Sequence, residues 1–185
     1  RDGGDAVTLL AWASLALIAY TYIGYALLLR LVPRGDAPAR PTDQGKQPRM
    51  SVLLAVRNEA ISLGRKLENI LAMDYPPELL EILVGSDGST DDTEEVARAF
   101  DSRGVSFYGF GAAGKTAALN RLVENATGDI LVFMDARQRV DLDALRHFAQ
   151  WFQDPRIGVV GGELVITDES GVETSKGVGV YWRYE

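Results

Sequence analysis

The amino-acid sequence predicts an α/β fold: a doubly wound, mainly parallel sheet preceded by one transmembrane helix. Three observations predict it. Ala6–Leu29 runs for 24 residues without a charge. Beyond residue 50, short apolar runs alternate with segments of helical periodicity. Several of those runs stop abruptly at a polar group. The sharpest case is GDILVFMDAR at 128–137, where Ile130–Met134 gives way to Asp135. A buried parallel strand delivering a carboxylate to the carboxyl edge of a sheet has that pattern, and open α/β folds bind ligands at that edge.

The charge-free segment is long enough for a helix to span a hydrocarbon core of roughly 30 Å. Trp12, Tyr20, Tyr22 and Tyr25 are amphipathic, suited to an interface where they lie near an end. No small-residue cleavage site follows, which argues against a signal peptide, and no polar face argues against a core helix. Asp2 and Asp5 precede the segment, whereas Arg30, Arg34, Arg40, Lys46 and Arg49 follow it. By the positive-inside tendency the carboxyl side is cytoplasmic, at the inner (plasma) membrane. Residues 1–32 are thus read as a transmembrane helix. Residues 33–49, with Pro33, Pro38, Pro41 and Pro48, are read as a Pro-rich basic linker.

Residues 50–185 carry 13 Lys/Arg against 22 Asp/Glu, a balance that argues against nucleic-acid binding. The chain has no cysteine and one histidine, which excludes disulfides, thiolate metal sites and His-rich metal clusters. It begins at Arg1 and ends in YWRYE without a turn or tail signal, so it reads as a piece of a longer protein.

Each element has its own warrant. Ser51–Val56 is a strand by its continuous apolar run, and Ala60–Met73 a helix with Leu63, Leu67, Ile70 and Leu71 on one side. Tyr75-Pro76-Pro77 breaks that helix. Glu81–Gly85 is the second strand, Asp91–Phe100 the second helix, and Val105–Gly109 the third strand. Thr116–Asn125 is the third helix, Ile130–Met134 the fourth strand, and Leu142–Phe152 the fourth helix. Ile157–Ile166 is read as a fifth strand interrupted at Gly161-Gly162. In the fourth helix Leu142, Leu145, Phe148 and Phe152 form the buried stripe. His147 sits beside that stripe with no second imidazole to support a catalytic role. Strand–helix alternation with right-handed crossovers puts every strand-end loop on one edge, so Asn58-Glu59, Asp87 and Asp135 converge.

The loop SDGSTDDT at 86–93 divides in two. Ser89 or Thr90 caps the next helix, and Asp91, Asp92, Glu94 and Glu95 favour its positive end. Asp87 lies before the cap, at the strand exit, where its carboxylate can accept from a base N–H or a ribose hydroxyl. Arg57-Asn58-Glu59 reads alone as a helix start and gains weight in line with Asp87 and Asp135. GFGAAGKT at 109–116 matches the phosphate-binding pattern G-x-x-x-x-G-K-[ST]. Taken literally it makes the chain an ATPase or GTPase. Against that, the loop follows the third strand, stands only about 20 residues before the candidate acid, and leaves Asp87 and Asn58-Glu59 without a role.

Together these residues resemble the nucleotide-sugar half of the family-2, GT-A-fold inverting glycosyltransferases, of the membrane-bound bacterial type. AVRNEA at 55–60, ILVGSDGSTDDT at 82–93, GKTAALN at 114–120 and GDILVFMDARQ at 128–138 carry the resemblance. GVVGGELVI at 158–166 and YWRYE at 181–185 also fit, so it covers nearly all of 50–185. The resemblance implies a Rossmann-like nucleotide-binding half in which Asn58, Glu59 and Asp87 line the nucleoside pocket. Lys115 would reach the nucleotide near its base or diphosphate, and Asp135 would be the first acid of a D-x-D-type motif, beside ribose, sugar and any Mg²⁺ or Mn²⁺. It implies transfer of a sugar from a nucleotide-sugar, expected to be UDP-linked, to a lipid, glycan or polysaccharide acceptor with inversion.

The sequence departs from that pattern at Arg137, where a second acid is usual. An arginine repels a metal ion but pairs with diphosphate oxygens fork to fork, which leaves metal dependence open. The general base and the Q-x-x-R-W motif of processive members belong beyond Glu185. The alternatives are a P-loop NTPase using 109–116 and a non-catalytic nucleotide-binding membrane module.

Overall fold

The computed structural model describes residues 2–31, 45 and 47–163. The chain divides into two compact units, residues 1–40 and 41–185. In the first, helix α1 (Asp2–Ala19) passes through a π-helical turn at Tyr20–Gly24 into helix α2 (Tyr25–Leu31). Gly4–Leu31 is one continuous stretch of 28 residues, with a mean hydropathy of 1.8 over 18 of them, long and apolar enough to cross a membrane. Its side chains find no protein core, and large apolar groups such as Leu10, Trp12 and Ile23 are exposed. The Pro-rich linker expected at 33–49 lies mostly outside the described residues.

The second unit is built on four parallel strands: β1 (Met50–Val56), β2 (Leu80–Asp87), β3 (Val105–Phe110) and β4 (Ile130–Met134). Their order in the sheet is β3-β2-β1-β4. β1 is central, pairing Met50–Val56 with Leu80–Ser86 on one side and Met50–Leu54 with Ile130–Met134 on the other. Its unbroken apolar run is explained by burial on both faces. Val52, Leu54 and Val56 join one core cluster with Leu63, Leu67 and Ile70, whereas Leu53 joins a second with Leu83 and Leu122. The first cluster lies under helices α3 (Ala60–Leu71), α4 (Thr93–Arg98) and α6 (Ala144–Trp151); the second lies under α5 (Lys115–Asn125). Helices on both faces make the sheet doubly wound, as the sequence pattern predicts. The order reverses between β1 and β4, and that switch point opens a crevice at their carboxyl ends.

Several boundaries differ from expectation for physical reasons. The second helix starts at Thr93 rather than Asp91, because the Asp91 carboxylate stands outside it and accepts from the Thr93 N–H (3.1 Å) and hydroxyl. That makes Asp91, not Ser89 or Thr90, the side chain serving the helix start. The fourth helix starts at Ala144, so Leu142 lies in the preceding loop and is half exposed, and Leu145 and Ala149 form the buried stripe. Residues 157–163 form no strand, and 164–166 lie outside the described residues.

The amino edge of the sheet is locked where β4 begins. Ser51 Oγ accepts from the Gly128 N–H (2.8 Å) and donates to Glu81, which also accepts from the Thr127 N–H (2.9 Å). Burial raises the Glu81 carboxyl, but the bonds it accepts from the Ser51 hydroxyl and from the Thr127 N–H and hydroxyl, together with Arg49, hold it below its ordinary pKa. A Cβ on Gly128 would stand 2.6 Å from the Ser51 amide nitrogen and 2.8 Å from the Met50 carbonyl carbon. Backbone atoms cannot give way as a flexible side chain does. Gly128→Ala is therefore expected to destabilise the fold by about 1–3 kcal/mol, read as a lowered thermal midpoint. An unchanged midpoint would contradict the packing described here.

Candidate donor-binding site

The carboxyl ends of β1, β2 and β4 surround a cavity of about 170 Å³. Arg57 and Glu59 enter from the loop after β1, Asp87 from the last residue of β2, Lys115 from the first turn of α5, and Asp135 from the residue after β4. Groups up to 78 residues apart in sequence are brought to one edge by strand register alone.

Asp87 is buried, with about 5% of its surface exposed. Its Oδ1 accepts from the backbone N–H groups of Ala113 (2.7 Å) and Gly114 (2.9 Å). Its Oδ2 lies 4.0 Å from an Arg57 guanidinium nitrogen. The Ala113 amide is the main cause of a depressed carboxyl pKa, with the Gly114 amide, Arg57 and Arg121 acting in the same direction against desolvation. Close approach of the two segments depends on Gly88, which has φ +68° and leaves no room for a Cβ against the Ala112 amide (2.9 Å).

This arrangement decides the meaning of GFGAAGKT. In a phosphate loop the backbone amides are aimed at the ligand. Here two of them are spent on the protein's own carboxylate, and the lysine turns elsewhere. Lys115 Nζ pairs with Asp135 Oδ2 at 3.0 Å.

Asp135 is held from both sides. Its Oδ1 accepts from the Arg137 N–H (3.0 Å), the largest cause of its lowered pKa, and Lys115 adds to the effect. The Arg137 side chain crosses to Glu59, its Nε donating to Oε1 at 2.7 Å. Glu59 Oε2 accepts from the Ser62 hydroxyl. So the position where a second acid is usual carries a cation that is already paired.

Asn58 is placed differently. It has φ +53°, and its Oδ1 accepts from the Thr90 N–H (2.8 Å) while its own N–H donates to Ser89 Oγ (3.0 Å). Glu59 N–H donates to Thr93 Oγ1 (2.9 Å). Asn58 is thus a stitch between the loops after β1 and β2 and does not line the cavity. His147 is exposed on α6 and meets Asp143 and Gln150 on its own helix, so the structure gives it no place in the site.

Two supporting residues carry no motif signal. Lys66 is 2% exposed and donates from Nζ to the Gln138 carbonyl (2.9 Å). Asn69 donates to the Val140 carbonyl and accepts from its N–H, both at 2.9 Å. They pin residues 138–140 to α3, and that segment directly follows Asp135. Desolvation pushes the Lys66 ammonium down to about 8, partly opposed by Asp135. A lysine within the apolar stripe of α3 is the one sequence signal that marks this support.

Residues 51–184, well over half the chain, match the profile of "Glycosyl transferase family 2". The chain belongs to glycosyl transferase family 2. This family-2 chain is 30% identical over 169 residues to the Beta-monoglucosyldiacylglycerol synthase of Nostoc sp. strain PCC 7120, covering 86% of the chain and 35% of that relative. It is 32% identical to the Poly-beta-1,6-N-acetyl-D-glucosamine synthase of Staphylococcus aureus strain COL, over 66% of the chain and 30% of the relative. The chain thus spans about a third of the length of these curated relatives. Among solved structures, it is similar to the mannosyltransferase PcManGT of Pyrobaculum calidifontis in complex with GDP-Man and Mn²⁺, with a TM-score of 0.64 and 31% identity. That match covers 78% of the chain and 44% of PcManGT. The fold also matches S. aureus TarS 1-349 in complex with UDP-GlcNAc, with a TM-score of 0.56 and 17% identity over 65% of the chain and 38% of TarS. The family and these structural matches bear out the GT-A reading of the fold, and the NTPase alternative finds no support among them.

A metal site of several protein ligands is not built here: among the described residues no three His, Cys, Asp or Glu side chains cluster to hold an ion. Asp135 offers one carboxylate. That suits a hard divalent ion that takes one or two carboxylates and completes its shell with substrate phosphate oxygens.

The Asp87 bonds give a direct prediction. Asp87→Ala should remove the acceptor of the Ala113 and Gly114 amides, and hydrogen exchange of a peptide covering 111–115 should quicken. Because the folded-state pKa is depressed, this docking is at full strength above the unfolded-state value of about 3.9 and is lost as pH falls through the folded value. Exchange there that is unchanged by the substitution would contradict the assignment.

Proposed function

We propose that residues 50–185 form the donor-binding part of a membrane-anchored glycosyltransferase that takes a sugar from a nucleoside diphosphate to a lipid, glycan or polysaccharide acceptor. The observation that carries this reading is the meeting of Glu59, Asp87, Lys115 and Asp135 around one cavity at the switch point of a family-2 chain, with Arg137 paired to Glu59. The names of its relatives, a glucosyldiacylglycerol synthase and a poly-N-acetylglucosamine synthase, support a lipid or glycan acceptor. The apolar helix at 4–31 supports a membrane setting, and the cations that follow it support a cytoplasmic catalytic side at the inner membrane.

Each residue has a role in this reading. The free oxygen of Asp87 accepts from the base or ribose of the donor. Asp135 would hold a divalent ion, Mg²⁺ or Mn²⁺. Bound there, the ion would supply positive charge against the leaving diphosphate. Lys115 and Arg137 are the chain's own cations for the same task. Each is held in reserve by a carboxylate, Asp135 or Glu59, and each can exchange that partner for a phosphate oxygen. In the transfer, the acceptor oxygen bonds to the anomeric carbon as the bond to the diphosphate breaks. The acceptor's proton passes to a base, expected beyond Glu185, and the configuration inverts.

Calorimetry tests the reading. Asp87→Ala should weaken nucleotide-sugar binding at least about tenfold, and UDP- and GDP-sugars titrated side by side decide the base. ATP or GTP binding that is lost in Lys115→Ala and unharmed in Asp87→Ala would favour an NTPase instead. Arg137 yields a second expectation. Donor binding should survive EDTA in part, and Arg137→Ala should make it fully metal-dependent. Complete loss on chelation, with Arg137→Ala unaffected, would remove the arginine from the charge-neutralising role. The non-catalytic alternative predicts donor binding with no transfer, even in the chain extended through its downstream segment.

A further inference from the structure

A second and larger cavity, of about 560 Å³, lies on the other side of Ala136. Its walls are α3 and the segment that runs from Ala136 to Leu142. Its size falls within the range of small-molecule sites, which is about 300–1,000 Å³. Its charge sets it apart from the donor pocket. The donor pocket mixes carboxylates with cations. The second cavity is lined by Arg65, Lys66, Arg137 and Arg139, and by no carboxylate. The charged groups of its lining are thus all cations, in a chain whose net charge is −7.

The cations differ in how they are engaged. Arg137 is paired with Glu59. Lys66 is buried, has three N–H donors, and among the described residues has one acceptor, the Gln138 carbonyl. A desolvated ammonium with spare donors calls for an anion. Arg65 and Arg139 are exposed at the mouth, and neither meets a carboxylate among the described residues. Two guanidinium-bearing residues lining one cavity suit the multi-oxygen face of a phosphate. Asn69 takes no part in recognition, because both ends of its amide are committed to Val140.

We propose that the cavity between α3 and residues 137–142 binds a phosphomonoester group, separately from the nucleotide-sugar pocket. Arg65 and Arg139 engage it from the mouth, and Lys66 completes its charge from the buried wall. Ala136 lines both cavities, and Arg137, which lines the second, pairs with Glu59 of the first, so this phosphate stands directly beside the donor pocket. Either the headgroup of an anionic lipid or a soluble phosphoester has this chemistry.

Phosphorus NMR of the full chain in neutral detergent micelles tests the proposal. Two probes are titrated: soluble glycerol 3-phosphate, and phosphatidic acid doped into the micelles, with phosphatidylcholine as the control. The wild-type chain should broaden the resonance of at least one phosphomonoester. Response to phosphatidic acid alone identifies a lipid headgroup, and response to glycerol 3-phosphate identifies a soluble source. The double variant Arg65→Gln/Arg139→Gln should weaken that binding at least about tenfold, while nucleotide-sugar binding measured on the same sample stays within about twofold of wild type. The proposal is overturned if neither probe responds, or if the variant binds as the wild type does. It also fails if the variant loses nucleotide-sugar and phosphate together, which would make the cavity part of the donor pocket. The nucleotide-sugar titration on the wild-type chain reports on the donor reading by itself, so the two ideas can fail separately.

Discussion

The double pairing of β1 is the constraint on which the rest depends. Met50–Leu54 is buried to completion and hydrogen-bonded on both sides, to β2 and to β4, in parallel register. A one-residue slip would turn Val52 and Leu54 away from α3 and bring Leu53 into their place. The register therefore has little freedom. Because Val56 stands beside Ser86 and Leu54 beside Met134, the next residues of all three strands emerge together. Hydrophobic burial in the middle of the sheet thus fixes where the charged groups stand at its edge. The Ser51–Glu81–Gly128 lock at the opposite edge fixes the same register from the other end.

At the site edge the groups are paired before any ligand arrives. Lys115 rests on Asp135, Arg137 on Glu59, and the amides of Ala113 and Gly114 on Asp87. Exposed pairs of this kind contribute little to stability, with a median of about 0–1 kcal/mol. They cost correspondingly little to exchange for a diphosphate. The Asp87 contact is different, being buried and made to two backbone donors. It holds the 111–114 loop in place, so the pocket has one rigid wall and one exchangeable one. Arg137 belongs to the exchangeable side. A second acid there would add a metal ligand; an arginine paired with Glu59 stores a cation instead.

The sequence pattern carried the sheet, its parallel sense and the meeting of Glu59, Asp87 and Asp135, since apolar runs and strand-end polar groups are local signals, whereas Lys115 was implied only by the family resemblance. It did not carry the strand order, which depends on which face each crossover takes. Nor did it show that Asn58 works as a loop stitch, because an Asn at a strand end looks the same whether it faces a ligand or a neighbouring amide. Asp91 was legible as a helix-start acid, but its bonds to Thr93 moved the helix boundary. The GFGAAGKT loop misleads for a related reason: its pattern records available amides without recording what they face. Lys66 and Asn69 act through contacts with residues about 70 positions away, which no short-range pattern contains.

The central claim is that the crevice between β1 and β4 receives the diphosphate of a nucleotide-sugar. A structure of the full chain with its bound donor tests it most directly. The account predicts the diphosphate beside Asp135, the base or ribose on the free oxygen of Asp87, Arg137 detached from Glu59, and the Ala113 and Gly114 amides still on Asp87. A diphosphate cradled by the amides of 111–114, with Asp87 displaced, would contradict it.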